Sequence, residues 1–264
     1  MTQAPQRVLE NSSIRSYDRS MPGKLLQQYY DYSGFFNFGF WTPETRTQAE
    51  ASRNLTLKLL DWIPEKTGTI LDVACGMGAT TKLLLEYYPS ENVSAINVSP
   101  AQVAMAAGRA PGCGFAAMNA TRLGFKDESF DNIICVEAVF HFTTRADFLK
   151  EAYRLLKPGG RLVHSDILYH PKQRPLQNYL PTPAGLADAL KSAGFTEVEV
   201  QDRTRECIGG VTQSLQTWPG KARRERRITF LEYLIASLWS FAYRKGLKNK
   251  VTYYTLSTAR KPLS

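Results

Sequence analysis

Apolar and polar positions follow two different periods along the middle of the chain. Short apolar runs, typical of strands that are buried on both faces, alternate with segments that have the spacing of amphipathic helices. The predicted strands are residues 70–74, 93–98, 132–136, 161–167, 197–200 and 251–259. The predicted helices are residues 47–62, 80–88, 100–107, 144–157 and 182–193. Repeated strand–helix units predict an α/β fold, with a mainly parallel sheet covered by helices on both faces.

Two regions depart from this alternation. The first 65 residues have helical spacing and many aromatic residues, and residues 206–250 contain a polar, basic stretch followed by an apolar segment. The second region is too short to support a core of its own. We therefore expect a single domain over residues 1–264. It would consist of an N-terminal helical cap (1–65), a central core (66–205), a lid insertion (206–250) and a final strand (251–264).

The composition is that of an ordinary globular protein, with 43% hydrophobic and 22% charged residues. It argues against disordered and fibrous classes. The N-terminus is polar and lacks the apolar stretch of a signal peptide, and no apolar run is long enough to cross a bilayer. The four cysteines show no paired spacing. We expect free thiols, no metal site and a cytoplasmic location.

The net charge of +9 is confined to the end of the chain. The first 220 residues are neutral overall, whereas residues 221–264 contain 11 Lys and Arg residues against Glu225 and Glu232. A local excess of basic residues indicates a local anionic partner. For residues 221–250 the candidates are a carboxylated or phosphorylated small molecule, an acidic carrier protein and a membrane surface. A solvated helix without a partner explains the charge equally well. We expect no nucleic acid partner, since the chain has no added RNA-binding domain.

A glycine-rich turn, Gly76-x-Gly78, lies between the predicted strand 70–74 and the predicted helix 80–88. Such a turn is typical of nucleotide-binding sites, because glycines let a ligand approach the backbone closely. Thr81 replaces the third glycine of a dinucleotide-binding fingerprint, and the turn lacks the lysine of a P-loop. Asp72 lies four residues before Gly76. A carboxylate there suits the ammonium and sulfonium groups of S-adenosylmethionine (SAM) and would repel the pyrophosphate of NAD.

Four motifs in sequence order resemble those of class I SAM-dependent methyltransferases. They are residues 70–78 (ILDVACGMG), 96–102 (INVSPAQ), 119–131 (from Asn119-Ala120 to Phe130-Asp131) and 155–160 (LLKPGG). Residues 251–261 are similar to the seventh strand of this family. The resemblance implies a Rossmann-like, seven-stranded sheet whose last strand is antiparallel. It also implies that SAM binds at the carboxyl ends of the early strands.

The resemblance further implies which residues contact the cofactor. The glycine turn would hold the methionine part of SAM, the end of the second strand would meet the ribose, and Asn119 and Ala120 would meet the adenine. Asn97 and Asn119 stand where acidic residues are usual in the family, but an amide also donates and accepts hydrogen bonds. The expected cofactor-binding residues are Tyr30, Asp72, Ala74, Gly76, Gly78, Asn97, Val98, Gln102, Asn119, Ala120 and Glu137.

His141 follows the predicted strand 132–136 and resembles the general base of bacterial small-molecule and sugar O-methyltransferases. In those relatives an aspartate just after the fifth strand often assists the histidine, and Asp166 matches that place. A neutral imidazole with a pKa near ~6.5 is suited to take a proton from a hydroxyl. Alternatively, His141 only lines its loop and Asp166 forms a local salt bridge.

The acceptor is expected to meet His170, Tyr233 and Trp239, although core packing is the alternative for each aromatic residue. The sequence thus predicts a SAM-dependent O-methyltransferase acting on a small, largely apolar and anionic metabolite of natural-product (peptide or polyketide) biosynthesis. The alternatives are N- or C-methylation of a small molecule, and a non-catalytic protein that binds SAM or a membrane surface.

Overall fold

The computed structural model describes residues 23–170 and 178–263, and its centre is a seven-stranded sheet of order β3-β2-β1-β4-β5-β7-β6. β1 to β5 pair in parallel, and β7 runs antiparallel between β5 and β6. The strands are β1 Ile70–Val73, β2 Val93–Asn97, β3 Gly114–Ala117, β4 Phe130–Cys135, β5 Leu156–Tyr169, β6 Thr196–Asp202 and β7 Val251–Arg260. The predicted α/β fold with an antiparallel last strand is confirmed.

Helices lie on both faces of this sheet, and at the start of several helices a hydroxyl side chain caps the first turn. Thr47, Ser99, Thr144 and Thr182 each accept a hydrogen bond from a backbone N–H three residues later, which satisfies one of the free donors at a helix start. The α-helices of the described residues are α1 Lys24–Tyr29, α2 Gln48–Leu60, α3 Ala79–Leu84, α4 Pro100–Arg109, α5 Arg145–Leu155, α6 Pro183–Ser192, α7 Gly210–Arg224 and α8 Phe230–Lys250.

Two strands differ from the sequence prediction. β5 extends beyond the predicted residues 161–167 at both ends: Leu156 pairs with Phe130 of β4, and β7 pairs with β5 from Arg161 to Tyr169. β3 was not among the predicted strands, since its sequence, Gly-Phe-Ala-Ala, has little strand propensity and its residues are half-buried or exposed. It forms at the sheet edge through its pairing with β2.

The core consists of one apolar cluster on each face of the sheet. Ile133 and Ile134 are neighbours on β4 and both are fully buried, but they belong to different clusters. Successive side chains of a strand point to opposite faces, so this division shows that both faces of β4 are covered. Phe148 of α5 packs on one face and Leu55 of α2 on the other.

A third cluster joins the N-terminal region to residues 206–250. Tyr29 and Tyr30 pack with Leu215 and Trp218 of α7 and with Ala236 of α8. We call residues 23–65 and 206–250 the cap-and-hairpin layer, because α7 and α8 form a helical hairpin against the cap. Residues 1–22 of the predicted cap, and Ser264 of the predicted final strand, lie outside the described residues.

Candidate cofactor and acceptor site

The turn after β1 has a left-handed backbone. Ala74, Gly76 and Gly78 have φ angles of 61°, 55° and 83°. A Cβ atom on Gly78 would lie 2.7 Å from Ala106 Cα, so glycine is needed for α3 to begin this close to α4. A Cβ atom on Gly76 would meet no atom of the described residues within 4 Å. The backbone at Gly76 is therefore open to a ligand.

Asp72 is buried on β1 beneath this turn, with 1% of its surface exposed. The hydroxyl of Thr81 in α3 donates to Asp72 Oδ2 at 2.6 Å. Burial raises the pKa of Asp72 to about 7, and the hydrogen bond from Thr81 opposes this only in part. Among residues 23–170 and 178–263, no cation contributes to this pKa. A positively charged ligand nearby would therefore stabilise the ionised carboxylate.

A buried polar network fixes the turn at the end of β2. Asn97 Nδ2 donates to Gln102 Oε1 at 2.9 Å, and Asn97 Oδ1 accepts from the backbone N–H of Ser99 at 3.2 Å. Ser99 Oγ in turn accepts from the backbone N–H of Gln102 at 3.3 Å. Val98, within this turn, remains 45% exposed. Asn97 and Gln102 therefore brace the turn, while Val98 presents an apolar surface.

Asn119 and Ala120 lie beside the end of β2. The backbone N–H of Met118 donates to the carbonyl oxygen of Asn97 at 3.0 Å, which brings the two predicted adenosine-binding segments together. Asn119 Oδ1 accepts from the backbone N–H and the hydroxyl of Thr121, at 2.9 and 3.0 Å. Ala120 is buried in the core.

Glu137, just after β4, connects three parts of the chain. Its backbone has a φ of 52°, and its N–H donates to Ser165 Oγ on β5 at 2.8 Å. Its Oε2 accepts from the backbone N–H of Phe38 at 2.8 Å and from the hydroxyl of Tyr254 on β7 at 2.7 Å. Desolvation raises the pKa of Glu137 to about 8. Sequence reasoning missed Phe38 and Tyr254, because nothing in the local pattern marks partners this distant in the chain.

His141 ends a short 3₁₀ turn, Val139–His141, that follows Glu137. The residue is exposed, and its ring packs on Phe140 with 3.9 Å between the ring centroids. The turn lies at the carboxyl end of β4, the same end of the sheet as the turn after β1. His141 is therefore accessible at the edge of the sheet where the cofactor-binding residues were predicted.

Asp166 lies inside β5, within the predicted strand 161–167, whereas the assisting aspartate of the O-methyltransferases it resembles lies just after the fifth strand. It is fully buried, and its carboxylate accepts from Arg145 Nε at 2.6 Å and Nη2 at 3.2 Å. Arg145 also donates to the carbonyl oxygens of Ile167 and Asn178, and its backbone N–H donates to Asn178 Oδ1 at 2.8 Å. The local salt bridge considered as an alternative for Asp166 is thus present. Its partner, Arg145, begins the helix that follows the His141 turn.

The cap directly contacts the glycine turn and the end of α4. Gln27 Nε2 lies 4.0 Å from Met77 Sδ in the glycine turn, and Arg109 Nη1 donates to the carbonyl oxygen of Ser33 at 2.5 Å. Tyr30 is buried, and its hydroxyl donates to the carbonyl oxygen of Asn37 at 3.1 Å. The cap therefore covers the open turn, and the hydroxyl of Tyr30 supports the cap itself.

The three predicted acceptor residues lie in different surroundings. His170 is exposed just beyond β5, and its backbone N–H donates to the carbonyl oxygen of Lys250 at 2.8 Å. Trp239 is 39% exposed and stacks on Tyr243, with 5.1 Å between ring centroids. Tyr233 is half-buried against the layer's apolar cluster. These contacts place all three beside α8 or on it.

His164 is a buried polar residue in the core. Either ring nitrogen lies 3.1 Å from Ser257 Oγ, and burial lowers the pKa of His164 to about 4.

Within residues 23–170 and 178–263, no cluster of three or more His, Cys, Asp or Glu side chains could hold a metal ion. No helix in these same ranges combines the length and apolar character needed to cross a membrane.

The chain is similar to known methyltransferases. The family described as "Methyltransferase domain" matches residues 71–164. The erythromycin 3''-O-methyltransferase of Saccharopolyspora erythraea is 31% identical over 195 residues, which are 63% of this chain and 63% of that protein. The matched part is thus less than two thirds of that relative's length. An O-methyltransferase of Penicillium expansum is 30% identical over 64% of this chain and 68% of its own length.

Among solved structures, the cyclase SpnF superposes with a TM-score of 0.73 and 23% identity, covering 97% of both chains. At this identity the likeness shows the fold alone.

Proposed function

The chain belongs to the class I SAM-dependent methyltransferases, and on that premise we propose that it methylates a hydroxyl of a small, largely apolar and anionic metabolite in natural-product biosynthesis. The observation that carries the proposal is the position of His141, an exposed imidazole at the carboxyl end of β4 beside the cofactor turn. The O-methyltransferases among the relatives support the same choice of acceptor atom.

The residues around the glycine turn fit SAM. When bound, SAM supplies an electrophilic methyl group on a positively charged sulfonium. Asp72 and Glu137 are carboxylates whose pKa values burial raises to about 7 and about 8 without help from a cation, so both would gain from a cationic ligand. Asn37 Oδ1 is buried and has no partner among the described residues, and Gly76 leaves open space.

We assign the cofactor contacts by position. The backbone at Ala74, Gly76 and Gly78 would hold the methionine part, close to Asp72 and Glu137. Val98, with Asn97 and Gln102 bracing its turn, would meet the ribose, and Asn119 and Ala120 would meet the adenine. Tyr30 would act by keeping the cap closed over this site, because its hydroxyl bonds Asn37 within the cap.

His141 would accept the proton of the acceptor hydroxyl on a ring nitrogen as the oxygen bonds to the methyl carbon and the methyl–sulfur bond breaks, with S-adenosylhomocysteine as the second product. A positioned base of this kind contributes roughly 10²–10⁴-fold to the rate. We assign Asp166 a positioning role. Its ion pair with Arg145 fixes the start of α5, and Arg145 follows His141 by four residues. The carboxylate would thus hold the His141 turn in place through Arg145.

The cap-and-hairpin layer would cover the acceptor. His170, Tyr233 and Trp239 are proposed to contact it, and the positive potential of residues 221–250 would attract a carboxylated or carrier-bound molecule without direct contact. Aromatic rings bind apolar molecules with little loss of conformational entropy, which suits Trp239 and Tyr243 as a stacked wall.

Replacement of His141 tests the proposal. The acceptor is first identified by mass spectrometry, as a compound in an extract that gains one CH₂ when SAM and the protein are added. We expect His141→Ala to lower kcat by about 10²–10⁴-fold and to leave SAM affinity, measured by calorimetry, unchanged. His170→Ala is the matched control, because His170 is also exposed near the site, and it should change mainly KM.

A fall of only a few-fold in His141→Ala would contradict the base role and favour N- or C-methylation, which do not need this histidine. SAM binding without turnover on any acceptor would instead favour a non-catalytic SAM-binding protein.

A further inference from the structure

The outward face of α8 is apolar over about two turns. Leu231, Leu234, Ile235 and Leu238 recur at helical spacing and are 66%, 48%, 51% and 72% exposed. The inward face of the same helix carries Ala236 and Ser240, each 2% exposed, together with Leu247. A helix that turns small or polar residues inward and its leucines outward is reversed relative to an ordinary surface helix. Contiguous exposed apolar surface of this kind marks an interaction site.

Basic residues lie at both ends of this apolar stripe. Arg223, Arg224 and Arg226 are exposed at the end of α7 and in the turn that precedes α8. Lys245, Lys248 and Lys250 are exposed in the last turns of α8. The region from residue 221 onward accounts for the entire net charge of +9. The partner of the stripe therefore offers apolar contact at its centre and negative charge at its edges.

A groove of about 320 Å³ between α7 and α8 is an independent indication that the partner is negatively charged. Arg224, Ser240 and Arg244 contribute to its lining, together with the exposed ring of Phe241. Within the described part of the chain, the buried atoms Ser240 Oγ and Arg244 Nε have no hydrogen-bond partner. A guanidinium group only donates, and a hydroxyl can donate, so the groove is suited to the oxygens of an anion.

We propose that α8 docks the protein onto an anionic lipid surface, with the stripe entering the headgroup–acyl boundary and the basic residues and groove contacting phosphate groups. Amphipathic helices with this combination of apolar and basic faces bind membranes in the interface plane. A second copy of the chain fits the stripe less well, because pairing two stripes would bring two basic regions together. A free phosphate ion would leave the stripe in water.

Vesicle co-sedimentation of the full-length protein tests the proposal. Vesicles of equimolar phosphatidylglycerol and phosphatidylcholine are compared with vesicles of phosphatidylcholine alone, and we expect at least about ten-fold stronger binding to the anionic vesicles. Leu238→Glu should weaken that binding at least about ten-fold, because it places a charge in the centre of the stripe. Leu263→Glu is the matched control, since Leu263 is also 72% exposed but lies beyond β7, and it should bind as the wild type does.

The charge requirement is tested with Lys245→Glu/Lys248→Glu, which should weaken binding at least about ten-fold, against the exposed Lys126→Glu, which should not. Equal binding to both kinds of vesicle, or unchanged binding of Leu238→Glu, would overturn the proposal. Displacement from the vesicles by inorganic phosphate at a matched phosphate concentration would show a free-anion groove and would also overturn it. So would lipid-free dimerisation, seen by sedimentation velocity, that Leu238→Glu abolishes.

Discussion

The core, residues 66–205, and the cap-and-hairpin layer differ in how their buried polar atoms are satisfied. In the core, Asp166 pairs with Arg145, and His164 lies against Ser257 of the neighbouring strand β7. In the layer, exposed large apolar side chains concentrate on α8. The buried side-chain N and O atoms found without a partner in residues 23–170 and 178–263 all lie in the layer: Gln28 Oε1, Asn37 Oδ1, Trp218 Nε1, Ser240 Oγ and Arg244 Nε.

This difference indicates that the core satisfies its buried polar atoms internally, whereas the layer leaves some of them for a bound ligand. Buried polar atoms usually have partners, so a group of exceptions in one region calls for an explanation such as a bound molecule. The family match at residues 71–164 lies wholly within the core. We infer that the core holds the features common to the family, whereas the layer holds what is particular to this chain's acceptor and surroundings.

The largest expected effect comes from a matched pair of arginine replacements, one in the core and one in the layer. Arg145→Ala removes one partner of a fully buried ion pair and should lower the free energy of unfolding by about 3–5 kcal/mol, because Asp166 is left as an uncompensated charge. Arg244→Ala in the layer should cost less than about 1 kcal/mol, because its guanidinium is only partly hydrogen-bonded, to Gln216. Chemical denaturation measures both. Equal losses in the two variants would refute the division.

The core was largely predictable from sequence because its strands are buried on both faces. Continuous apolar runs and helix caps such as Thr144 identify its elements locally. The pair of Arg145 and Asp166 was not predictable, since the two residues are 21 positions apart and no pattern links them. β3 also escaped, because an edge strand of Gly, Phe and Ala depends on its pairing with β2 rather than on its own propensity.

The layer was less predictable, for a physical reason. The sequence showed an apolar segment within residues 206–250, but a sequence pattern does not say what covers such a segment. The contacts of Phe38 with Glu137, and of Tyr29 with α7, join segments far apart in the chain. Among the proposed site residues, positions on the glycine turn followed from sequence, whereas those in the layer depend on tertiary contacts.

A pair of glycine replacements sharpens the account of the core. Gly78→Ala should lower the free energy of unfolding by about 2–4 kcal/mol, because the new Cβ would collide with Ala106 and alanine disfavours a φ of 83°. Gly76→Ala should cost only about 1 kcal/mol, since its Cβ meets open space, but it should weaken SAM binding measured by calorimetry. Unchanged SAM affinity in Gly76→Ala would show that the open space does not hold the cofactor.

The pH dependence of stability tests whether the buried carboxylates of the core need a cationic ligand to stabilise their ionised form. The pKa of Asp72 is raised from 3.8 to about 7, so the folded state keeps a proton that the unfolded state has already lost. Without SAM, stability should therefore fall as the pH rises from about 4 to 7, by roughly 3 kcal/mol from Asp72 alone. Glu137, whose pKa is raised from 4.5 to about 8, should add a similar fall between about pH 5 and 8. Asp72→Asn should flatten this slope. Bound SAM should flatten it too, and its affinity should rise with pH over the same range.

The smallest expected effect comes from a test of whether the cap and the α7–α8 hairpin form one structural unit. The hydroxyl of Tyr29 donates to Gln48 Oε1 at 2.8 Å and lies 3.2 Å from Ser214 Oγ on α7, so it bridges the two parts. Tyr29→Phe should cost about 1 kcal/mol. Tyr30→Phe is the control, because the hydroxyl of Tyr30 donates to the carbonyl oxygen of Asn37 within the cap. Thermal unfolding of Tyr29→Phe, Ser214→Ala and the double variant should give a coupling energy of about 0.5 kcal/mol or more. The same cycle with Tyr30→Phe should be additive. Additivity in both cycles would mean that the cap can open without disturbing the hairpin, so that cofactor entry and membrane docking are independent events.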